Sequence, residues 1–412
     1  MEADGDTISS GQAGRTCGAG LRREYVAKEV RQMDILLTEE QKEIQRAARK
    51  FALGEFPPVA EEFDREEHYP FEIWKKACEL GFVGTWIPEP YGGPGLGFTE
   101  SALIFEEFWR VDPGCASVLS APFGSEIIVY RGSEEQKRKY LPPLVAGQKI
   151  MGAAITEANA GSDVAGVRTK AILSGNEYVL NGTKMFITNG TIGHYFVVLC
   201  QTDPDVAKRH SRFSVIIVEA DRPGFEKKKI KNKLGTRASD TAELVFEDVR
   251  VPKENLVGER GKGFYYFMEF FDRTRIGVAA QGVGVAQGAL DRAVQYSRQR
   301  ELFGTTLASF QVTQFKLAEM ATLVEASRCL VRQAAWKLDH GEIDTPLVSM
   351  AKWYSGETAV KVTNEALQIH GGYGYIGEYD ISRLYRDAKI VEIYEGTKEI
   401  EKQVIARHLL KG

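Results

Sequence analysis

Apolar residues recur at helical spacing near both ends of the chain, and a strand-like pattern separates these two regions. After Thr38 the apolar positions return every three to four residues, which is typical of an amphipathic helix. Thr38 and Gln41 have the spacing of a capping box and predict that the first helix begins here. Further helices are predicted after Pro70 and after Thr99, with a loop rich in glycine and proline over residues 89–97 between them.

From about residue 150 the pattern predicts short strands. The dipeptide Asn181-Gly182 stands between two segments rich in β-forming residues and predicts a hairpin turn. Turn residues separate the strands at short intervals, which favours a small barrel or a sandwich. The lysine run 227–229, with Lys231 and Lys233, is interpreted as a solvated connection between strands. The predicted strands cover residues 151–156, 177–188, 195–200, 213–218 and 242–251.

Long amphipathic helices return after residue 264, over residues 274–300, 310–341 and 346–370. One of them contains a run of small residues, namely Ala279, Ala280, Gly282, Gly284, Ala286 and Gly288. Because glycine in a helix costs roughly 1 kcal/mol relative to alanine, close packing of helix backbones is expected to compensate. The order of helices, strands and helices predicts an α+β protein, which excludes an alternating βαβ fold.

This order divides the chain into four predicted parts. Residues 1–32 are predicted to be a disordered extension; they carry five acidic and five basic residues and no apolar core, unlike a signal or transit peptide. The fold is expected to begin at about Met33. The predicted domains are an N-terminal helical domain (33–150), a middle β domain (151–263) and a C-terminal helical domain (264–412).

Composition excludes several classes of protein. With 53 basic and 57 acidic residues, the chain has a net charge of −4 and lacks the basic excess of a nucleic-acid-binding protein. No apolar run is long enough to predict a membrane span. The five cysteines are scattered, which favours a reducing compartment over a disulfide framework. The six histidines lack metal-ligand spacing, so no metal is predicted.

Glycine is abundant, with 41 residues, and one glycine motif invites a nucleotide-binding interpretation. Residues 372–377 match G-x-G-x-x-G. That fingerprint requires a preceding strand, whereas residues 363–370 have a helical pattern. A nicotinamide site of the Rossmann type is therefore disfavoured.

Six longer strings carry a more specific signal. They are MGAAITEANAGSDVAGVRTKA (151–171), TKMFITNG (183–190), FFDRTR (270–275), RQRELFG (298–304), QIHGGYGYIG (368–377) and YRDAKIVEIYEGT (385–397). At these strings the chain resembles the acyl-CoA dehydrogenase family of flavoproteins, and the resemblance runs from about residue 34 to the C-terminus. It implies an N-terminal helical domain, a middle β-barrel domain and a C-terminal four-helix bundle. The activity it implies is FAD-dependent dehydrogenation of an acyl-CoA thioester to the 2-enoyl-CoA.

The resemblance also implies the catalytic base. Glu395 matches the family's catalytic carboxylate, which removes the α-proton while the flavin accepts a hydride from the β-carbon. Its backbone N–H is expected to bind the thioester oxygen together with a flavin hydroxyl. Some members carry the base on the helix with FFDRTR, where this chain has Thr274, which cannot act as a base.

Two further sets of residues follow from the resemblance. Residues 153–162 are expected to wrap the flavin with residues 186–188 on its other side, while residues from 300–311 and 368–372 reach the FAD of a neighbouring subunit. The implied FAD-binding residues are Ala153, Ala154, Ile155, Thr156, Gly161, Ser162, Phe186, Ile187, Thr188, Arg300, Phe303, Gln311, Gln368, Gly371, Gly372, Thr397 and Glu399. The implied acyl-CoA-binding residues are Ser162, Asp272, Arg275, Tyr394 and Gly396.

The substrate is left open by the motifs. Family members acting on glutaryl-CoA carry an arginine after the third helix, and residues 113–128 contain no Arg or Lys, which disfavours a dicarboxylate tail. Tyr373 and Tyr375 suggest aromatic bulk near the site and are compatible with a short, branched or cyclic acyl group such as cyclohexane-1-carboxyl.

The expected partners are electron-transferring flavoprotein and further copies of the chain in a homotetramer, again by resemblance. A prokaryotic cytoplasm is the expected location, or the mitochondrial matrix if the source is a eukaryote. Two alternatives remain open: an oxidase-like enzyme that uses dioxygen, and a redox-silent assembly protein on the same fold.

Overall fold

The computed structural model describes residues 37–411, and the predicted extension 1–32 lies outside them. The N-terminal part is helical: α1 (Glu39–Glu55), α2 (Ala60–Glu66), α3 (Phe71–Glu79), α4 (Phe98–Val111), α5 (Ser125–Arg131), α6 (Glu134–Tyr140) and α7 (Pro142–Val145). The Thr38 hydroxyl accepts from the Gln41 N–H at 3.1 Å, so the predicted capping box is confirmed. α4 begins one residue before the predicted Thr99, because the Asp339 carboxylate accepts from the N–H groups of Phe98 and Thr99.

The middle part is a β-sheet domain. Its strands are β1 (Met151–Ala154), β2 (Lys170–Ser174), β3 (Glu177–Thr188), β4 (Tyr195–Gln201), β5 (Phe213–Glu219), β6 (Phe225–Lys229), β7 (Thr241–Pro252) and β8 (Leu256–Val257). They follow the order β6-β7-β3-β2-β4-β5-β8, with β1 parallel to β4. Leu180, Ile216 and Phe246 come from distant strands and share one buried core, so the sheet curves around its own side chains.

The predicted hairpin at Asn181-Gly182 is wrong. β3 continues through these residues, Gly182 pairs with Phe246 on β7, and the ladder shifts register here. A Cβ built at Gly182 would lie 2.5 Å from Thr169 Oγ1. The glycine therefore permits the close approach of β3 to the residue that precedes β2. The hairpin turn instead lies at residues 175–176, between β2 and β3.

The lysine run forms a strand, which corrects the predicted connection. Residues 227–229 belong to β6 at the end of the sheet, where charged side chains discourage pairing with another edge. Lys228 is exposed, as expected for a solvated face. Lys233 is half-buried and donates to the Ser239 carbonyl and the Thr241 hydroxyl, so it does not belong to that face.

The C-terminal part contains five α-helices: α8 (Gly263–Gln299), α9 (Gln311–Asp339), α10 (Thr345–His370), α11 (Ile381–Ala388) and α12 (Lys398–Leu409). A short hairpin of β9 (Glu301–Leu302) and β10 (Thr305–Thr306) joins α8 to α9. α8 begins before the predicted residue 274, because Phe267 and Phe270 are buried in a cluster shared with the sheet. The α+β class is therefore confirmed. No helix within residues 37–411 is long and apolar enough to span a membrane.

The predicted close packing around the small residues of α8 is also confirmed. A Cβ at Gly284 would lie 2.4 Å from the Glu106 carbonyl oxygen, and one at Gly288 would lie 2.1 Å from that of Arg110, both on α4. Gly282 meets α10 in the same way, at 2.8 Å from the Ser355 oxygen. α8 thus packs backbone to backbone against two neighbours.

We expect Gly288→Ala to lower the free energy of unfolding by about 1–3 kcal/mol, because the methyl group would force α8 away from α4. Gly54→Ala is the matched control: Gly54 also lies in a helix, but its Cβ would meet nothing within 4 Å. The control should gain roughly 1 kcal/mol from helix propensity. Thermal or urea denaturation measures both, and equal effects at the two positions would contradict the packing account.

Candidate active site

Glu395 lies between α11 and α12 in an unusual backbone conformation. Its φ is 52°, a left-handed value that is uncommon for a residue other than glycine, and Gly396 follows with φ 105°. This turn directs the carboxyl group into a narrow cavity of about 50 Å³ between α4, α5 and α8. The aromatic lining of the cavity is Trp86, Phe98, Phe105 and Phe123, and its polar lining is Ser101, Ser120, Glu126, Arg273, Thr274 and Gln281.

The Glu395 carboxyl group has a pKa suited to proton transfer. Burial raises the pKa of Glu395 to about 7, against the opposing effect of a hydrogen bond from Thr274 and of the cations Arg275 and Lys352. The Thr274 hydroxyl donates to Glu395 Oε2 at 2.5 Å. A general base is most effective when its pKa lies near the working pH, so this group can take up a proton at neutral pH.

Two buried cations hold the turn that carries Glu395. Arg275 Nε donates to the Glu395 carbonyl oxygen at 2.8 Å, and Lys352 Nζ donates to that of Gly396. Arg275 also lies 3.1 Å from the fully buried carboxylate of Glu401. These contacts fix the backbone on the side away from the cavity. Lys352 and Glu401 were missed by the sequence reasoning, since nothing in their spacing links them to residue 395.

The other predicted substrate-binding residues lie around this turn or on the sheet. The Tyr394 hydroxyl donates to the side chain of Gln281, which lines the cavity. Asp272 accepts from the Thr345 hydroxyl at 2.9 Å and lies 3.9 Å from Arg275. Ser162 is exposed, on the segment that follows β1. Contact of these residues, and of Arg275 and Gly396, with CoA stays a prediction.

The two segments predicted to contact the flavin, residues 153–162 and 186–188, lie side by side. The Met185 N–H donates to the Thr156 carbonyl at 2.8 Å, which joins the end of β1 to β3. Phe186 follows with φ 61° at an irregularity of the β3–β7 ladder, and its side chain is 64% exposed. Ala153, Ala154, Ile155 and Ile187 are buried, Thr156 and Thr188 are half-buried, and Gly161 is exposed.

A buried ion pair supports this region and was not predicted. Lys184 Nζ lies 3.0 Å from Glu157 Oε1 and donates to the Ile155 carbonyl. Glu157 also accepts from the N–H groups of Arg168 and Thr169. The pair therefore ties both ends of the segment after β1 to β3. Only the three-dimensional pairing reveals it.

A second cavity, of about 650 Å³, brings together four of the remaining predicted flavin residues. Arg300, Gln368, Gly371 and Gly372 all line it. A Cβ at either glycine would meet nothing within 4 Å, so the backbone there is open to a ligand. The other predicted residues do not line this cavity: Phe303 is 96% exposed, Gln311 and Glu399 are exposed, and Thr397 caps α12 by accepting from the Ile400 N–H.

Tyr373 and Tyr375 do not line the cavity that contains Glu395. Tyr373 belongs to the second cavity, where its ring lies 5.5 Å below the Arg300 guanidinium, and Tyr375 is 86% exposed. The expected aromatic bulk near the base comes instead from α4 and the loops that flank it.

We expect the rate of flavin reduction by an acyl-CoA to rise with pH through about 7, because Glu395 must lose its proton before it can act as a base. Thr274→Val removes a hydrogen bond that stabilises the ionised carboxylate, so the midpoint should rise by about one pH unit. Thr274→Ser keeps the hydroxyl and should retain the wild-type midpoint. Anaerobic stopped flow measures the midpoint. An unshifted midpoint in Thr274→Val would contradict the assignment of Glu395 as the group that titrates.

The order of the three parts and the buried carboxyl group of Glu395 agree with the class of enzyme that the motifs indicate. Family models of acyl-CoA dehydrogenases match nearly the whole described chain: the N-terminal domain at residues 38–148, the middle domain at 152–249 and the C-terminal domain at 261–410. The chain therefore belongs to the acyl-CoA dehydrogenase family of flavoprotein oxidoreductases.

Individual relatives agree with this placement. The chain is 47% identical to the acryloyl-CoA reductase (NADH) of Anaerotignum propionicum over 385 residues, 93% of this chain and 97% of the relative. The structure of butyryl-CoA dehydrogenase from Megasphaera elsdenii has a TM-score of 0.89 and 41% identity, covering 92% of this chain and 100% of that one. A chain from the structure described as the electron transferring flavoprotein of Acidaminococcus fermentans has a TM-score of 0.89 and 43% identity, with the same coverage.

Proposed function

We propose that the protein is an FAD-dependent acyl-CoA dehydrogenase that converts an acyl-CoA thioester to the 2-enoyl-CoA, with Glu395 as the base. The observation that carries this proposal is the carboxyl group of Glu395, which faces a narrow apolar cavity and has a pKa of about 7. An α-proton next to a thioester is a weak acid, so its removal requires both a matched base and stabilisation of the negative charge on the oxygen.

The residues around Glu395 provide both. In the described part of the chain the Glu395 N–H donates to no protein atom, so it is free to donate to the thioester oxygen. Thr274 fixes the carboxylate, and aromatic side chains line the cavity that it faces. Arg275 and Lys352 hold the peptide that presents both the N–H group and the carboxylate.

FAD fits the residues outside this cavity. Residues 153–156 lie beside residues 185–188 and leave the Phe186 ring exposed, and the second cavity combines the Arg300 cation with open glycine backbone. An arginine fork suits a pyrophosphate, and the open space at the two glycines leaves room for one. When bound, FAD would accept the hydride from the substrate β-carbon. We propose that Arg300, Phe303, Gln311, Gln368, Gly371 and Gly372 bind the FAD of another subunit in a homotetramer.

We propose a short, branched or cyclic acyl group as substrate. The narrow volume and the aromatic rings of the first cavity support a compact acyl group over a long chain. Arg273 lines this cavity, but it stacks over the Tyr130 ring, donates to the Glu269 carbonyl and lies 4.0 Å from the Glu269 carboxylate. A dicarboxylate tail therefore stays disfavoured.

Electron-transferring flavoprotein is the proposed electron acceptor, and the relative from Acidaminococcus fermentans supports it. A second candidate is the reverse reaction, reduction of a 2-enoyl-CoA, because a relative 47% identical is an acryloyl-CoA reductase. The same residues would serve it, with Glu395 returning the proton. A bacterial cytoplasm is the proposed location, in keeping with the sources of the relatives.

A screen of acyl-CoA thioesters tests the function. Under anaerobic conditions, a compact acyl-CoA should bleach the flavin absorbance of the purified protein, and electron-transferring flavoprotein should restore it. Rapid recovery with dioxygen alone would favour the oxidase-like alternative. Flavin that NADH reduces and a 2-enoyl-CoA then reoxidises, both faster than any acyl-CoA reduces it, would favour the reductase. A colourless protein that takes up no FAD would contradict the proposal.

A further inference from the structure

A second carboxyl group, that of Glu126, faces the cavity that contains Glu395. Glu126 lies in the first turn of α5, and only 5% of the residue is exposed. Leu119 and Phe123 line the cavity beside it, so its surroundings are largely apolar. Removal of the α-proton uses one carboxylate, and Glu126 has no part in that step.

The hydrogen bonds of the Glu126 carboxyl group all come from N–H donors. The Gly124 N–H donates to Oε2 at 3.0 Å, and the N–H of Glu126 itself adds a second contact. Within residues 37–411, Glu126 forms no ion pair at 4.0 Å or less. Arg273 is the cation among the residues that line the cavity, and it stacks over the Tyr130 ring and lies 4.0 Å from the Glu269 carboxylate.

A carboxyl group in this position carries a proton at neutral pH. An ionised carboxylate without a cation is costly in apolar surroundings. Burial accordingly raises the pKa of Glu126 to about 8, with a further contribution from the charge of Glu395. The protonated group has an O–H donor, and the N–H groups that contact it cannot accept that proton. The cavity therefore presents a buried hydrogen-bond donor.

We propose that Glu126 is a specificity-determining residue, which donates a hydrogen bond to an oxygen atom on the acyl group and so favours acyl chains that carry a hydroxyl or oxo group. The inference rests on the proposed function, because it concerns the acyl cavity of that site. A site built to hydrogen-bond a substrate oxygen discriminates against the analogue without it, since the buried donor is then left unpaired. The preference for one neutral hydrogen bond should be about tenfold in affinity.

Binding of unreactive CoA thioethers tests this without turnover. Isothermal titration calorimetry of the FAD-loaded protein compares S-alkyl-CoA with S-(ω-hydroxyalkyl)-CoA at chain lengths of four, five and six carbons. The wild type should bind the hydroxylated thioether about tenfold more tightly at one or more lengths. Glu126→Gln keeps an N–H donor and should keep the preference. Glu126→Met has similar length without a donor and should bind both thioethers equally.

The outcomes separate this inference from the proposed function. Absence of a preference in the wild type at all three lengths would overturn the inference, and this comparison needs no variant to fold. An unchanged preference in Glu126→Met would also overturn it. If neither thioether binds at all, the proposed function fails. Glu134→Gln, a change at an exposed glutamate of α6, controls for a glutamate substitution away from the cavity and should match the wild type.

Discussion

Replacement of Glu395 by glutamine is expected to stop the reduction of bound flavin by acyl-CoA while leaving the flavin in place. Glutamine has nearly the same shape and can still accept from the Thr274 hydroxyl, so the cavity should remain intact. It has no basic oxygen that could take up the α-proton. General base catalysis typically contributes 10²–10⁴-fold, and we expect a loss of at least about 10³-fold in the reduction rate.

Anaerobic stopped-flow absorbance measures this rate, and the protein-bound FAD content is measured on the same samples. Glu378→Gln is the matched control, because Glu378 is an exposed glutamate of the same C-terminal region. It should reduce at the wild-type rate. Reduction of Glu395→Gln at the wild-type rate would show that another group is the base.

Replacement of Gly396 by alanine is the second large effect that we expect. A Cβ at Gly396 would lie 2.1 Å from Glu401 Oε1 and 3.0 Å from Arg275 Nη2, and the φ of 105° is strained for any residue with a side chain. Glu401 is fully buried and paired with Arg275, so neither can move freely. The turn itself must shift, and it carries Glu395.

A displacement of the order of 1 Å in a catalytic group can cost about 10²-fold in rate, and we expect a loss of this size for Gly396→Ala. The loss should appear in kcat more than in KM, because the base moves while the rest of the cavity stays. Gly377→Ala is the control, since Gly377 has ordinary φ and open space around its Cβ position. Equal, near wild-type rates for both variants would contradict the claim that Glu401 and Arg275 hold this turn rigidly.

The sequence predicted the order of the three parts, and the structure places the predicted base, Glu395, in the lining of a cavity. Local patterns with a single physical cause were reliable: the capping box at Thr38 and the small residues of α8 both behave as predicted. The hairpin prediction at Asn181-Gly182 failed because this dipeptide occurs both in turns and where chain segments approach closely. Only the position of Thr169, next to Gly182 in the structure, distinguishes the two cases.

The supporting residues of the site could not be predicted, because they meet only after the chain folds. Lys352 on α10 and Glu401 on α12 approach the turn at Gly396 from separate helices. Glu126 was counted in the sequence only as part of a segment without cations, whereas the structure places its carboxyl group in the cavity. Long-range electrostatic contacts of this kind leave no periodic signal along the chain.

Exchange of substrate α-protons with solvent tests the role of Glu395 most directly, because it requires the base but no hydride transfer. An acyl-CoA analogue with sulfur in place of the β-carbon is incubated with the FAD-loaded protein in D₂O, and NMR follows the loss of its α-proton signal. The wild type should catalyse this exchange, and Glu395→Gln should slow it by at least about 10³-fold. Exchange at equal rates in both proteins would contradict the assignment of Glu395 as the base.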